Sequence, residues 1–177
     1  MGVSMAQDIP AWIDGALRPM DKLEVHRRGL RHPAVSVFVV AGGKLLIQQR
    51  ALAKYHTPGL WANTCCTHPH WGESPLACAE RRLAQELGIR GVALEHRGVV
   101  EYRAEVGGGM IEHEVVDLFL GVCNVPPVVT PDPEEVAAIR WVDTEALHAE
   151  IATRPEAFTP WLRVYLADHA DLVLAGF

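Results

Sequence analysis

A cysteine and a histidine stand two residues apart in the run Thr64-Cys65-Cys66-Thr67-His68-Pro69-His70. A thiol and an imidazole so placed suit proton transfer or metal binding. A lone cysteine is commonly buried and inert, so Cys66 gains meaning only with partners. Cys65 is its rival for any such role, while Cys78 and Cys123 lie in apolar patterns and are expected in the core. Glu112 and Glu114 form a second set. They lie two apart in the strand-like run from Met110 to Val122, so both face one side and His113 faces the other. Two carboxylates on one face repel unless something positive lies between them. The rest of that run is apolar, which points to a metal or a site. His26 and His32 form a third set. With His68 and the two glutamates they would make a mixed nitrogen–oxygen group suited to a divalent first-row metal or magnesium. His56, His70, His96, His113, His148 and His169 are given no role.

The elements that must carry these groups are legible in outline. Val35 to Ala41 is rich in β-branched residues and reads as a buried strand. Gly42-Gly43 is a two-residue turn, and Lys44 to Arg50 returns as a second strand. Leu60 to Thr64 reads as a short extended piece running into the cysteines. Ser74 is the N-cap of a helix with Pro75 at its first position and Gly88 at its end. Leu76, Ala79, Leu83 and Leu87 form its apolar stripe. Val92 to Ala104 holds one or two strands with Tyr102 near the end, and a glycine turn leads into Met110 to Val122. Val136 to Val142 reads as a strand, followed by a helix capped by Asp143 or Thr144. Thr159-Pro160 opens one final helix. Trp12 to Leu17, around Asp14-Gly15, reads as a hairpin. The polar run Lys22 to Arg31 is assigned no element. Interspersed strands and helices with antiparallel hairpins predict a mixed α/β or α+β sandwich with helices on both faces.

The chain of 177 residues fits one domain, 1–177, with residues 1–20 as an N-terminal extension. A formal charge of -6 argues against non-specific binding to nucleic acid, and an anionic small substrate would need local cations or a metal. No run reaches the length of a membrane span. The first residues lack the basic start and apolar stretch of a secretory signal. Adjacent cysteines without signs of secretion suggest reduced thiols in a cytoplasmic protein.

The stretch from Thr67 to Ile89 resembles a Nudix box, Gx5Ex7REUxEExGU, with U a bulky aliphatic residue. Glu73, Arg81, Leu83, Glu86, Gly88 and Ile89 fall on motif positions. Thr67 replaces the first glycine, Arg82 replaces a glutamate, and Gln85 replaces another. Hydrolysis of a diphosphate needs that carboxylate cluster to hold magnesium. Here one charge is inverted and one neutralised, so the hydrolytic signal is damaged while the fold signal survives.

Taken together, RALAK (50–54), PGLWANTCCTHPHWGES (58–74), RRLAQELG (81–88), EYRA (101–104), IEHE (111–114) and FTPW (158–161) resemble the type 1 isopentenyl-diphosphate isomerase family, a Nudix-fold branch. The resemblance covers about Lys22 to Trp161. It implies a Nudix-like α/β/α sandwich with a mixed sheet. It also implies catalytic roles for Cys66 and Glu114, with Tyr102 assisting. His26, His32, His68, Glu112 and Glu114 would hold one divalent metal (Mn2+, Zn2+ or Mg2+). Glu86 would hold a Mg2+ that bridges to the diphosphate. Lys22, Arg50, Lys54 and Arg82 would bind the diphosphate, and Trp161 would face the hydrocarbon end. The implied partner is a small prenyl diphosphate, with neither nucleic acid nor membrane. Moving a double bond between isopentenyl and dimethylallyl diphosphate needs two proton-transfer groups on opposite faces of a tertiary carbocation. The aromatic face of Trp161 would stabilise that cation by ~2 kcal/mol or more in a dry site.

Overall fold

Asp14 and Gly15 both adopt positive φ, 50° and 81°, as a two-residue turn between twisted strands requires. The N-terminal hairpin therefore forms, from β1 (Asp8–Ile13) and β2 (Ala16–Asp21). These coordinates are a computed structural model that describes residues 8–176, so the start of the extension expected at 1–20 lies outside them. The polar run after the hairpin is a helix, α1 (Lys22–Arg28), which the sequence reading left unassigned. It has only seven residues, and its caps define it better than its pattern does. Asp21 accepts a hydrogen bond from the Glu24 amide at 3.0 Å, and Gly29 closes the helix in the left-handed region at φ 59°. Val25 packs with Ile9 and Ala11 in a small core, and His26 is buried on the same helix.

The main sheet comprises β3 (Arg31–Ala41), β4 (Lys44–Arg50), β5 (Trp61–Ala62), β6 (Cys65–Thr67), β7 (Leu94–Gly107), β8 (Met110–Cys123) and β9 (Val136–Val142). Its order is β5-β4-β3-β8-β7, with β6 also on β3 and β9 on β4. β3 and β8 are parallel, and the other pairs are antiparallel. The helices are α2 (Pro75–Leu87), α3 (Thr144–Thr153), α4 (Pro160–Asp168) and α5 (Ala170–Leu174). Alternation along β3 divides the core. Val35, Val37 and Val39 pack with Ala79, Leu83 and Leu87 of α2. Ala34, Phe38 and Val40 pack with Trp161, Leu162 and Tyr165 of α4. The mixed sheet thus lies between helical layers, as expected.

Three local expectations need correction. Leu76 is 43% exposed, and Cys78 takes its place in the buried stripe of α2. Cys123 is only partly buried, at the end of β8. The final helix is two, because His169 leaves helical geometry at φ −136°. The second piece, α5, buries Val173, and the Arg97 guanidinium holds the carbonyls of Leu172 and Ala175, each at 3.0 Å.

The feature that matters for chemistry is a split in the sheet. β3 and β4 pair only at Val40–Leu45 and Ala41–Lys44. Beyond that point β6 takes β4's place beside β3. The buried polar groups left there are satisfied by side chains. Thr64 Oγ1 accepts from the Val39 amide at 2.8 Å and donates to the Leu46 carbonyl at 2.6 Å. Asn63 Nδ2 reaches Ser36 Oγ and the carbonyls of Val37 and Cys65. The Asn-Thr-Cys-Cys run is the filler of this split.

Candidate active site

Register places the two cysteines on opposite faces of the sheet. Residues directly opposite across a sheet point to the same face. Cys65 pairs with Val37 and is fully buried with the α2 core. Cys66 pairs with Ser36, packs toward the α4 side and lines a pocket at the split. Burial, followed by repulsion from Glu114 and Glu112, pushes the Cys66 thiol well above its ordinary pKa. It therefore keeps its proton at neutral pH.

β8 brings Glu112 and Glu114 to that same face, and both are nearly fully buried. Tyr102 on β7 lies directly opposite Glu114. Its hydroxyl oxygen is 2.7 Å from Glu112 Oε2 and 2.6 Å from Glu114 Oε2. One hydroxyl hydrogen can serve only one of these contacts, so the other needs a proton on a carboxyl group. Burial and then the Glu114 charge push Glu112 well above the carboxylate range. Burial pushes Glu114 up as well, but the neighbouring imidazoles of His32 and His68, with His68 Nε2 at hydrogen-bond distance, outweigh it and hold Glu114 well below that range. The pair's proton is therefore favoured on Glu112 and its charge on Glu114, and a cation held by both would displace that proton.

Three imidazoles converge on Glu114. His26 Nδ1 lies 2.6 Å from the Lys22 carbonyl and His32 Nδ1 lies 2.7 Å from the Leu30 carbonyl. Carbonyls only accept, so both rings carry the hydrogen on Nδ1 and turn the Nε2 lone pair inward. His32 Nε2 is 3.2 Å from His68 Nε2 and 3.6 Å from Glu114 Oε1, while His68 Nε2 is 2.9 Å from the same oxygen. His26 packs its ring 5.0 Å from His32 and 5.1 Å from His68, and among the described residues its buried Nε2 has no hydrogen-bond partner. Ligands at about 2.1 Å from one metal would be spaced by roughly 3.0–3.4 Å. Orphaned lone pairs and a carboxylate at such spacings fit a divalent cation. His26, His32, His68 and Glu114 offer atoms close enough for one ion, whereas Glu112 groups instead with His26 and His56.

Cations gather at the other end of the pocket. Lys22, Arg50, Lys54 and Arg82 line it together with Glu86 and Trp161. Burial and then repulsion from Lys54, Arg82 and Arg50 lower Lys22 to about 8. The Arg82 guanidinium donates to Glu86 Oε1 at 2.6 Å, and Gln48 donates to Glu86 Oε2 at 2.9 Å. Glu135 pairs with Lys54 at 2.5 Å and with Arg82 at 3.3 Å. Trp161 is buried, with Arg50 5.3 Å from its ring centroid. The cavity between these side chains is small, about 30 Å³.

Of the candidates read from the sequence, only His26, His32 and Tyr102 do not line this pocket, and each stands directly behind residues that do. A model of the NUDIX domain family matches residues 30–162. An isopentenyl-diphosphate Delta-isomerase of Dinoroseobacter shibae is 63% identical over 165 residues, covering 93% of this chain and 94% of that protein. The like-named protein of Rhodobacter capsulatus is 59% identical, covering 96% of this chain and 97% of its own. The chain belongs to the isopentenyl-diphosphate Delta-isomerase family. Solved structures agree on the fold of this isomerase family member. The DR0079 protein of Deinococcus radiodurans superposes with a TM-score of 0.72 at 14% identity, over 95% of this chain and 99% of its own. A MutT protein of Methanosarcina mazei gives 0.56 at 17% identity, over 67% of this chain and 81% of its own.

Some residues of this isomerase-family site were not singled out from the sequence. His56 is buried, with Nε2 3.3 Å from Glu112 Oε1, yet it sits in a polar loop where a histidine looks like surface. Glu135 lies in an acidic proline-rich loop with no periodicity. Gln48 directly follows the apolar run Leu45-Leu46-Ile47 in β4, and nothing in residue type separates it from Gln49 beside it.

Proposed function

We propose that this chain interconverts isopentenyl diphosphate and dimethylallyl diphosphate by protonation and deprotonation through a tertiary carbocation. One observation carries the reading. Cys66 and Glu114 sit on β6 and β8, the strands flanking β3, and both open on one pocket that also holds Lys22, Arg50, Lys54 and Arg82. The cations suit the diphosphate, with charge-assisted hydrogen bonds from the arginines. The carbon skeleton then lies between thiol and carboxylate beside Trp161. One of the two groups gives a proton to the terminal carbon, and the other takes one from the carbon nearer the diphosphate. Because the reaction is reversible, each group donates in one direction and accepts in the other. Burial supports a thiol that holds its proton, and His32 and His68 support a carboxylate that lacks one.

His26, His32, His68, Glu112 and Glu114 are assigned as ligands of a divalent metal, which when bound supplies positive charge that orients and polarises Glu114. Glu86 would hold a Mg2+, which would offset the negative charge of the diphosphate. Tyr102 passes its hydrogen bond to Glu114. Hydrolysis is disfavoured because Arg82 stands where a Nudix hydrolase has a glutamate and is already paired with Glu86. The test is an acid-lability assay with purified protein, Mg2+ and isopentenyl diphosphate. Acid-labile dimethylallyl diphosphate is expected. Release of phosphate or pyrophosphate without isomer would contradict the reading.

A further inference from the structure

Glu112 has a polar neighbour at each oxygen. Oε2 meets the Tyr102 hydroxyl at 2.7 Å, and Oε1 faces His56 Nε2 at 3.3 Å. Tyr102 belongs to the set that the family motifs point to, whereas His56 does not. Yet His56 is buried, at 4% exposure. Its ring stacks on His26 at 5.6 Å and 27°, and it meets Trp161 edge-on at 6.0 Å and Tyr55 edge-on at 4.3 Å. Its Nδ1 lies 3.0 Å from Thr57 Oγ1. When the Thr57 hydroxyl donates to that nitrogen, the ring hydrogen sits on Nε2, toward Glu112. Thr57 adopts φ 46°, a left-handed conformation that a β-branched residue takes only when its surroundings enforce it. The strained turn aims His56 inward, and Arg50 donates to the His56 carbonyl at 3.2 Å from the side of the cations.

We infer that His56 is a positioning residue for Glu112: its Nε2–H fixes the Glu112 carboxyl group in the orientation that faces the histidine cluster. The inference rests on the isomerase reading for its consequence in turnover, and on the ligand role proposed above for Glu112 for its consequence in metal binding. A ligand carboxylate left without its outer hydrogen bond typically costs 10–100-fold in metal affinity or activity. The His56 carbonyl contact to Arg50 is backbone, so it survives substitution, and the diphosphate end should be spared.

The experiment compares full-length wild type, His56→Ala and His56→Gln. Mn2+ dissociation constants are read by electron paramagnetic resonance, and kcat and KM for isopentenyl diphosphate are measured alongside. His56→Ala is expected to weaken Mn2+ binding and lower kcat by about 10–100-fold each while KM stays close to wild type. His56→Gln keeps an N–H donor and should recover most of both losses. Should the alanine cavity prevent folding, His56→Leu fills the volume without a donor and replaces it in the comparison. Wild-type Mn2+ affinity in folded His56→Ala or His56→Leu overturns the inference, as does a glutamine variant no better than the variant without a donor. If wild type itself fails to isomerise, the isomerase reading falls, while the Mn2+ series still decides the role of His56.

Discussion

Tyr102 and Glu114 stand directly opposite each other on β7 and β8, with the tyrosine hydroxyl 2.6 Å from Glu114 Oε2. The same hydroxyl touches Glu112, so it links the two carboxyl groups, with the proton favoured on Glu112 and the charge on Glu114. Tyr102→Phe removes that link and keeps the ring, which packs on Tyr165 at 5.9 Å. The variant should melt close to wild type and lose roughly 100-fold in kcat, a typical contribution of a group engaged in proton transfer. Steady-state kinetics check this, and an unchanged kcat would remove Tyr102 from the mechanism.

The two cysteines make a sharper comparison. Cys66→Ala should abolish turnover and leave the circular dichroism spectrum and melting curve nearly unchanged. Cys65→Ala should remain active but lose about 1 kcal/mol of stability, because its side chain is fully buried against α2. Full activity in the first variant with loss in the second would reverse the assignment.

The histidine cluster predicts that a divalent cation stabilises the fold. A ligand at 100 times its dissociation constant adds about 2.7 kcal/mol to a protein that binds it only when folded. Melting curves should therefore rise with Mn2+ or Zn2+ and return with chelator, and His32→Ala should lose most of that rise. An equal rise in wild type and His32→Ala would place the ion elsewhere.

Glu73 and Arg81 explain why the damaged Nudix box still folds as one. The Arg81 guanidinium donates to both Glu73 oxygens, at 2.7 and 2.8 Å. That pairing lowers the Glu73 carboxyl to about 2 from an ordinary 4.5. Between those values the unfolded chain binds the proton and the folded chain does not. The stabilisation is therefore complete above about pH 4.5 and is lost as pH falls toward 2. Glu73→Gln should be less stable than wild type at pH 7, and the difference should shrink through that acid window. Urea titrations at a series of pH values measure it, and a difference constant with pH would show that the ion pair contributes nothing.

Sequence pattern carried the sheet well, because β3, β4 and β8 are apolar runs bounded by glycine turns whose φ values are positive as expected. The caps of α2 at Ser74 and Gly88 were also written in residue types. What escaped notice shares a cause. The helix α1 is short and polar, and its role is to bury one histidine, so neither periodicity nor composition marks it. His56 and Glu135 acquire meaning only from residues far along the chain, Glu112 in one case and Lys54 with Arg82 in the other. The choice of Cys66 over Cys65 depends on which β3 residue each faces, and only register supplies that. The order of the motifs could bring the candidate residues to attention, but their convergence at the split between β3 and β4 is a property of the pairing.

The central claim is that Cys66 and Glu114 exchange protons with a carbon skeleton while the diphosphate stays intact. Incubating the wild-type protein with isopentenyl diphosphate and Mg2+ in D2O, and following it by proton, deuterium and phosphorus NMR, tests this most directly. Solvent deuterium should appear in a methyl group of dimethylallyl diphosphate, with the diphosphate resonances preserved and the label absent in Cys66→Ala. Free phosphate or pyrophosphate without deuterium on carbon would contradict the account.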